Sequence, residues 1–441
     1  MLIRSFQTIG SFRRANSGNV ATIFAVTLVP LIAAMGCAVD YSRAAQIRGK
    51  LQTAIDVASV GSVARTSPGF IAAGAMTADG PIPAGIADAT NIFNGNMSGQ
   101  SGYVLGSFSA DVKKTAGNVT STVQFSATVP STFSSIIGMR NLTVTGSSTS
   151  AASMPMYIDF YLLLDNSPSM GVGATPADVA KMVANTSDKC AFACHDTANG
   201  NNYYKLAKTL GVTTRIDVLR TATEQLMLTA AQTATYTNQF NMAIYDFGAT
   251  AQSAGLRALF PLSPDLAKAK TEAGKIDLMS VNGQNDNQDQ DTQYTNVFPA
   301  LDKLIGAPGA GTADAPQKYV MFVSDGVADE YNPAGCTKPT TGGRCQSPIN
   351  PALCKKLKDR GVKVAVLYTT YLDLPTNDWY NDWIKPFNTG PYGPSPKSEI
   401  AINMKACASP GFFFEVSPTQ GISDAMSTLF KKAVADARIN S

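Results

Sequence analysis

Val20 to Val39 (VATIFAVTLVPLIAAMGCAV) runs for twenty residues without a charge, and this limits the chain more sharply than any other stretch. About twenty apolar residues are enough to cross a bilayer as a helix. Pro30 is tolerated there, because neighbouring groups in a membrane helix re-satisfy the backbone it frees. Arg4, Arg13 and Arg14 precede the run and no acid does. A basic lead and an apolar core also describe a cleaved signal peptide. A retained anchor is favoured, since the run is long for a signal core and a helical pattern continues unbroken through Asp40, Tyr41, Arg43, Ile47, Leu51, Ile55 and Val57 to about Ala64. Basic residues flank both sides equally, with Arg43, Arg48 and Lys50 following, so charge alone does not orient the span.

Cysteine placement does orient it. Cys37 lies inside the run, and Cys190, Cys194, Cys336, Cys345, Cys354 and Cys407 all fall in the second half. An even set of six suits three disulfides in an oxidising compartment. That places residues 1–19 in the cytoplasm, a transmembrane helix at 20–39 and the bulk of the chain outside the cytoplasm. The net charge of +3 argues against a strong electrostatic nucleic-acid binder. A single histidine all but excludes His-based triads and multi-His metal sites.

The second constraint is Tyr157 to Gly171 (YIDFYLLLDNSPSMG). A short apolar run ending in a polar, proline-bearing turn reads as a strand buried on both faces. It ends in Asp165, Ser167 and Ser169, three oxygen-bearing side chains at alternate positions. Hard oxygens gathered at the carboxyl end of a parallel strand suit Mg²⁺, Mn²⁺ or Ca²⁺. A second apolar run, Lys318 to Ser324, ends in Asp325-Gly326, and Thr295 opens a helix between the two.

Between anchor and site, residues 66–100 are rich in Gly, Ala, Pro and Asn and read as loop and weak helix. From Gly102 to Ser150, β-branched residues alternate with polar ones (Val119, Ser121, Val123, Phe125), which predicts a small sheet packed on the helix after the anchor. Ser147 to Met156 reads as a small-residue linker. Beyond it, strands at 158–164, 240–247, 319–324, 362–368 and 412–416 alternate with helices at 215–231, 298–305, 351–360, 398–408 and 422–439. That alternation predicts an α/β fold with a doubly wound, mainly parallel sheet. Long insertions fall at 172–212, 328–351 and 371–396.

Two resemblances follow. FRRANSGNVATIFAVTLVPLIAAMGCAVDYSRAAQIRGKLQTAIDVASV is similar to the N-terminal TadE/TadG-like segment of Tad/Flp pilus assembly proteins, through its basic-then-Gly lead, its apolar span, Ala-Val-Asp-Tyr and the helix after it. This implies a pilin-like α+β segment at 40–150. The D-x-S-x-S run, Thr295 before a helix and the strand ending S-D-G together resemble the metal-ion-dependent adhesion site of von Willebrand factor A domains, over residues 151–441. The resemblance implies that Ser167, Ser169 and Thr295 bind Mg²⁺ (or Mn²⁺/Ca²⁺) through hydroxyls, that Asp165 and Asp325 balance its charge, and that a protein or surface ligand supplies an acidic group. It implies binding rather than catalysis, in an envelope-anchored Tad pilus assembly or adhesion protein resembling TadG. The competing role is a structural scaffold subunit of the Tad secretion machinery.

Other motifs read more plainly. Asp246 ends its strand and is expected in a supporting or surface role. Asn285, Asn287, Asp289 and Asp291 alternate like a calcium loop but lack the Gly and Glu of one, so a solvated rim is expected. Cys190-Ala-Phe-Ala-Cys194-His195 has one residue too many for haem attachment, and a disulfide is favoured over haem or zinc. Trp379, Tyr380 and Trp383 are expected in an exposed or locally packed loop.

Overall fold

The computed structural model describes residues 19–441, apart from 77, 116, 199–201, 284–290, 332–342, 390–396, 418–420 and 440–441. It divides into two compact units, Met1–Met154 and Pro155–Ser441.

In the first unit, α1 (Asn19–Ser62) is one helix of 44 residues with Pro30 inside it. At 1.5 Å per residue it is about 66 Å long. Its first half, from Val20 to Met35, presents its apolar side chains almost wholly outward, and it is long and apolar enough to cross a membrane. Its second half changes character, burying a stripe of Ile47, Leu51, Ala54, Ile55 and Ala58. That stripe covers a four-stranded sheet of β1 (Gly80–Pro81), β2 (Val104–Thr115), β3 (Asn118–Pro130) and β4 (Asn141–Ser153), ordered 1-2-3-4 and antiparallel. Val119, Ser121, Val123, Phe125, Ala127 and Val129 of β3 are buried, as the period-2 pattern requires. Ser59 bonds to Ser148 and Ser150, and Ser62 donates to Ser121 (2.8 Å), joining helix to sheet. At the free edge of β4, Arg48 Nε donates to the Thr145 carbonyl (3.3 Å) and Gln52 Nε2 to that of Ser147 (3.2 Å).

Two expectations are corrected here. Residues 66–100 are mostly helix, α2 (Pro68–Ala75) and α3 (Pro83–Met97). Their glycines lower helix propensity but let the backbones meet: a Cβ on Gly69 would lie 2.6 Å from the Gly85 Cα. Ser147 to Ser153 is not linker but the end of β4, where small residues pair along β3.

The second unit is α/β. Six strands, β5 (Ile158–Leu164), β6 (Phe240–Asp246), β7 (Arg257–Ser263), β8 (Gln317–Ser324), β11 (Lys363–Thr369) and β12 (Phe413–Val416), form a sheet in the order 12-11-8-5-6-7. All neighbours are parallel except β7, which is antiparallel to β6. A short hairpin, β9 (Val327–Tyr331) and β10 (Arg344–Pro348), follows β8.

The central strand β5 is buried at all seven positions. Phe160, Leu162 and Leu164 face one core, with Ile216, Leu219 and Leu226 of α6 (Arg215–Thr233) and Met426, Leu429 and Phe430 of α11 (Ile422–Ile439). Tyr161 and Leu163 face the other, with Phe298 and Leu301 of α8 (Tyr294–Leu304), Leu357 of α9 (Pro351–Asp359) and Met404 of α10 (Glu399–Cys407). The 172–212 insertion folds into α4 (Pro176–Asn185) and α5 (Tyr203–Leu210), and α7 (Leu266–Ala273) follows β7.

Cys354 and Cys407 are bridged, tying α9 to α10 (Cα–Cα 5.1 Å). Cys345 is disulfide-bonded as well, and Cys336 lies outside the described residues. Three bridges from six cysteines are not formed, because Cys190 and Cys194 are thiols. Within its own turn the Cys190 sulfur accepts the Phe192 N–H (3.4 Å) and points back at the Phe192 carbonyl. Tyr380 is buried rather than exposed, and Trp379 packs edge-on against Phe192 (5.8 Å). Asp246 is not at the surface either; it is fully buried and paired with Arg257.

Candidate metal centre

The register of the sheet brings the site together. Leu164 pairs with Val323, so β5 and β8 end side by side and release Asp165 and Asp325 at the same edge. The Asp165 N–H still donates to the Val323 carbonyl (2.9 Å). Gly326, at φ +82°, turns the chain away at once. A Cβ there would also meet Met404 at 2.7 Å, so this position requires glycine.

Proton counting fixes the hydrogen bonds. The Ser167 backbone N–H and hydroxyl both donate to Asp165 Oδ1 (2.9 and 2.6 Å). With its proton spent, Ser167 Oγ accepts from Ser169 Oγ (3.0 Å). Ser324 Oγ donates to Asp165 Oδ2 (2.6 Å) and so accepts from the Tyr294 hydroxyl (2.7 Å). Asp325 is left differently. Both its oxygens are buried and lack a hydrogen bond of good geometry, while the Ser169 and Tyr371 hydroxyls and the Val327 N–H lie near enough to favour its charged form. Its ion-pair partner is Arg215, with Nη1 3.7 Å from Oδ2 and both side chains wholly buried. Arg215 is anchored by Nη2 donating to the Thr370 carbonyl (2.6 Å) and lies over the Tyr371 ring.

Of the five residues expected here, Asp165, Ser167, Ser169 and Asp325 converge. Thr295 does not join them. It is exposed, and its N–H and hydroxyl both donate to Glu330 (2.9 and 2.7 Å). Because α8 begins at Tyr294, the inward position of its first turn belongs to Tyr294. Arg215, Tyr294 and Tyr371 were not foreseen. A cation at the start of a helix opposes the helix dipole, and that local misfit is the one trace of Arg215's role in the sequence.

The donor set fits a small hard cation. It consists of oxygens only, and the buried carboxylates of Asp165 and Asp325 call for positive charge, part of which Arg215 supplies. Among the described residues no three His, Cys, Asp or Glu side chains form a metal-holding group, so hydroxyls would have to complete the shell.

Burial, and then the charge of Asp325, pushes Asp165 up to about 7 from 3.8. Burial also raises Asp325, with Arg215 pulling the other way. A carboxyl raised by folding holds a proton that the unfolded chain has lost. Its contribution to stability is therefore full below about pH 4, declines as pH rises towards 7, and is flat above. A cation held here would have to displace that proton. Stabilisation by Mg²⁺ on that basis would grow from pH 5 to pH 8, as read by melting curves at fixed cation; a rise that is constant or shrinks over that range refutes this origin.

Ser167, Ser169, Thr292 and Tyr371 open onto a cleft of about 270 Å³, which Cys190, Cys194 and Trp379 also line. Four carboxylates, Asp188, Asp291, Asp329 and Asp378, share its lining with Arg344, which pairs with Asp291 (3.5 Å) and Asp329 (3.4 Å). The rest of the calcium-like loop, Asn285, Asn287 and Asp289, lies outside the described residues. His195 faces the Leu278 carbonyl (3.4 Å) and the Tyr204 ring.

Residues 18–65 match a family model described as "Putative Flp pilus-assembly TadE/G-like". No curated protein sequence matches the chain. Similar solved structures include the vWF domain of the type V pili tip protein Mfa5 from Porphyromonas gingivalis, at 9% identity over 65% of this chain and 97% of that one, with a TM-score of 0.36. The PilB minor pilin from Streptococcus sanguinis matches at 12% identity over 76% and 78%, with a TM-score of 0.34. Proximal thread matrix protein 1 from the mussel byssus matches at 14% identity over 64% and 46%, with a TM-score of 0.29. Likenesses this distant assign no role.

Proposed function

We propose that the chain is an envelope-anchored Tad/Flp pilus protein. In this reading, residues 151–441 are a doubly wound, von Willebrand factor A-like domain that captures a ligand through Mg²⁺, Mn²⁺ or Ca²⁺. The observation that carries it is Asp325, with two buried oxygens that lack a hydrogen bond of good geometry, set against Asp165 at the edge where β5 and β8 end. Asp165, Ser167, Ser169 and Asp325 hold the ion, directly or through water, and the bound ion offers an open position to a partner's carboxylate. The chemistry is capture rather than turnover. The cleft lining is acidic, so the favoured partner presents its carboxylate beside basic side chains. Exposure outside the cytoplasm agrees with the Cys354–Cys407 bridge.

The full chain in detergent tests this. A cation at one hundred times its dissociation constant stabilises by about 2.7 kcal/mol, a rise of several degrees in Tm. Asp165→Asn keeps the shape and should remove the rise. A wild-type Tm indifferent to Mg²⁺ and Mn²⁺ would sink the metal reading.

Arg215 favours a second reading. Its guanidinium already supplies positive charge to Asp325, as it would in a scaffold subunit that needs no ion. Normal pili without adhesion in an Asp165→Asn strain support capture; lost pili support the scaffold.

A further inference from the structure

The loop between β3 and β4 is apolar and turned outward. Phe133, Ile136, Ile137 and Met139 are 41, 73, 56 and 48% exposed, and a short 3₁₀ turn (Ser134–Ile137) lies among them. The loop is held to a defined height on α1. The Asp40 carboxylate, one residue past the apolar run, accepts the backbone N–H groups of Thr132 (3.0 Å), Phe133 (2.8 Å) and Ser134 (2.7 Å). One turn earlier, Gly36 leaves room for Phe133: a Cβ at Gly36 would lie 2.4 Å from the Phe133 Cβ. Gly36 is three residues before the end of the run at Val39, about 4.5 Å inside it at 1.5 Å per residue.

We propose that this loop dips into the interface of the bilayer that α1 spans, as a second membrane contact beside the helix. The inference rests on reading residues 20–39 as a membrane span. The depth set by Gly36 is close to that at which apolar side chains of interfacial segments lie, about 5–10 Å into the headgroup boundary. Charge agrees with lipid as the occupant. Arg140 follows the loop directly and Arg43 lies on the next turn of α1, both exposed at the level where lipid phosphates lie. Asp40 is the positioning residue: by gathering three N–H groups it satisfies backbone that would otherwise be left bare near hydrocarbon. The aspartate of Ala-Val-Asp-Tyr thereby acquires a physical task.

The test uses the full chain with Trp379→Phe and Trp383→Phe, reconstituted in phosphatidylcholine–phosphatidylglycerol vesicles whose acyl chains are brominated near the head. Single tryptophans are placed by Ile136→Trp in the loop, Phe24→Trp in the span and Thr115→Trp at the opposite end of the β2–β3 hairpin. All three side chains are exposed, so no core is disturbed. Thr115 lies eleven residues from Val104, roughly 37 Å along the strand. Ile136→Trp should emit to the blue and lose roughly half of its emission to bromine, whereas Thr115→Trp should lose none. A quenched Phe24→Trp with an unquenched Ile136→Trp overturns the loop proposal while sparing the span. A blue-shifted but unquenched Ile136→Trp means that another protein surface covers the loop, and overturns it too. If Phe24→Trp is itself unquenched, the span reading fails, and the loop proposal fails with it.

Discussion

Replacing Arg215 by alanine should cost about 3–5 kcal/mol of folding stability in chelator, the range for removing one partner of a buried ion pair. The guanidinium is wholly buried and is the cation nearest Asp325, whose oxygens lack a hydrogen bond of good geometry. Without it, Asp325 and Asp165 repel each other in a buried site, and Tyr371 loses the cation over its ring. Three features separate this from an ordinary cavity. The loss should shrink as pH falls, because protonating the carboxyls removes the uncompensated charge. On the metal reading it should also shrink when Mg²⁺ is added, because the ion would then supply the missing charge. Arg215→Lys should recover part of it, since the charge is kept while the planar contact to Tyr371 is lost. Urea unfolding of the full chain in detergent, with and without Mg²⁺, measures all three. An unchanged midpoint in Arg215→Ala would show that the pair contributes nothing.

Phe160→Ala should be comparably severe, at about 3–5 kcal/mol, but indifferent to ions. Phe160 is fully buried on β5, and its ring meets those of Phe430 (5.0 Å), Tyr319 (5.7 Å) and Phe240 (6.1 Å). These come from α11, β8 and β6, so one truncation loosens three elements at once. The rise in Tm with Mg²⁺ that the proposed function expects should survive, because the strand end carrying Asp165 is held by backbone bonds to β8. A cost below 1 kcal/mol would mean that this core repacks around the void.

The contrast between the two residues shows what a sequence exposes. Phe160 was legible: it sits in a continuous apolar run, and a strand buried on both faces leaves that signature whatever surrounds it. Asp165, Ser167 and Ser169 were legible for a similar reason, since their alternation and their place at a strand end are local facts. Thr295 is expected beside the serines but is turned away from them. On a helix one residue is about 100° of rotation, enough to turn Thr295 out to Glu330 and Tyr294 in to Ser324. Arg215 was illegible because its partner is far along the chain and only the folded sheet brings the two together. Helices α2 and α3 were hidden by glycines that weaken local propensity yet permit the close backbone contact that holds them. Cys190 shows the limit of counting: an even number of cysteines does not say which sulfurs their own turns engage.

The two side chains that α1 lays along β4 carry a further consequence. A long terminal strand rich in small residues invites strand addition, in which a second chain extends the sheet through its bare carbonyls and N–H groups. Arg48 and Gln52 already donate to the carbonyls of Thr145 and Ser147. A copy arriving strand-first would have to strip both donors away before gaining a single ladder bond. Self-association of this unit is thereby steered away from the open-ended, amyloid-like ribbon and towards contacts between faces, which can be saturated and therefore counted.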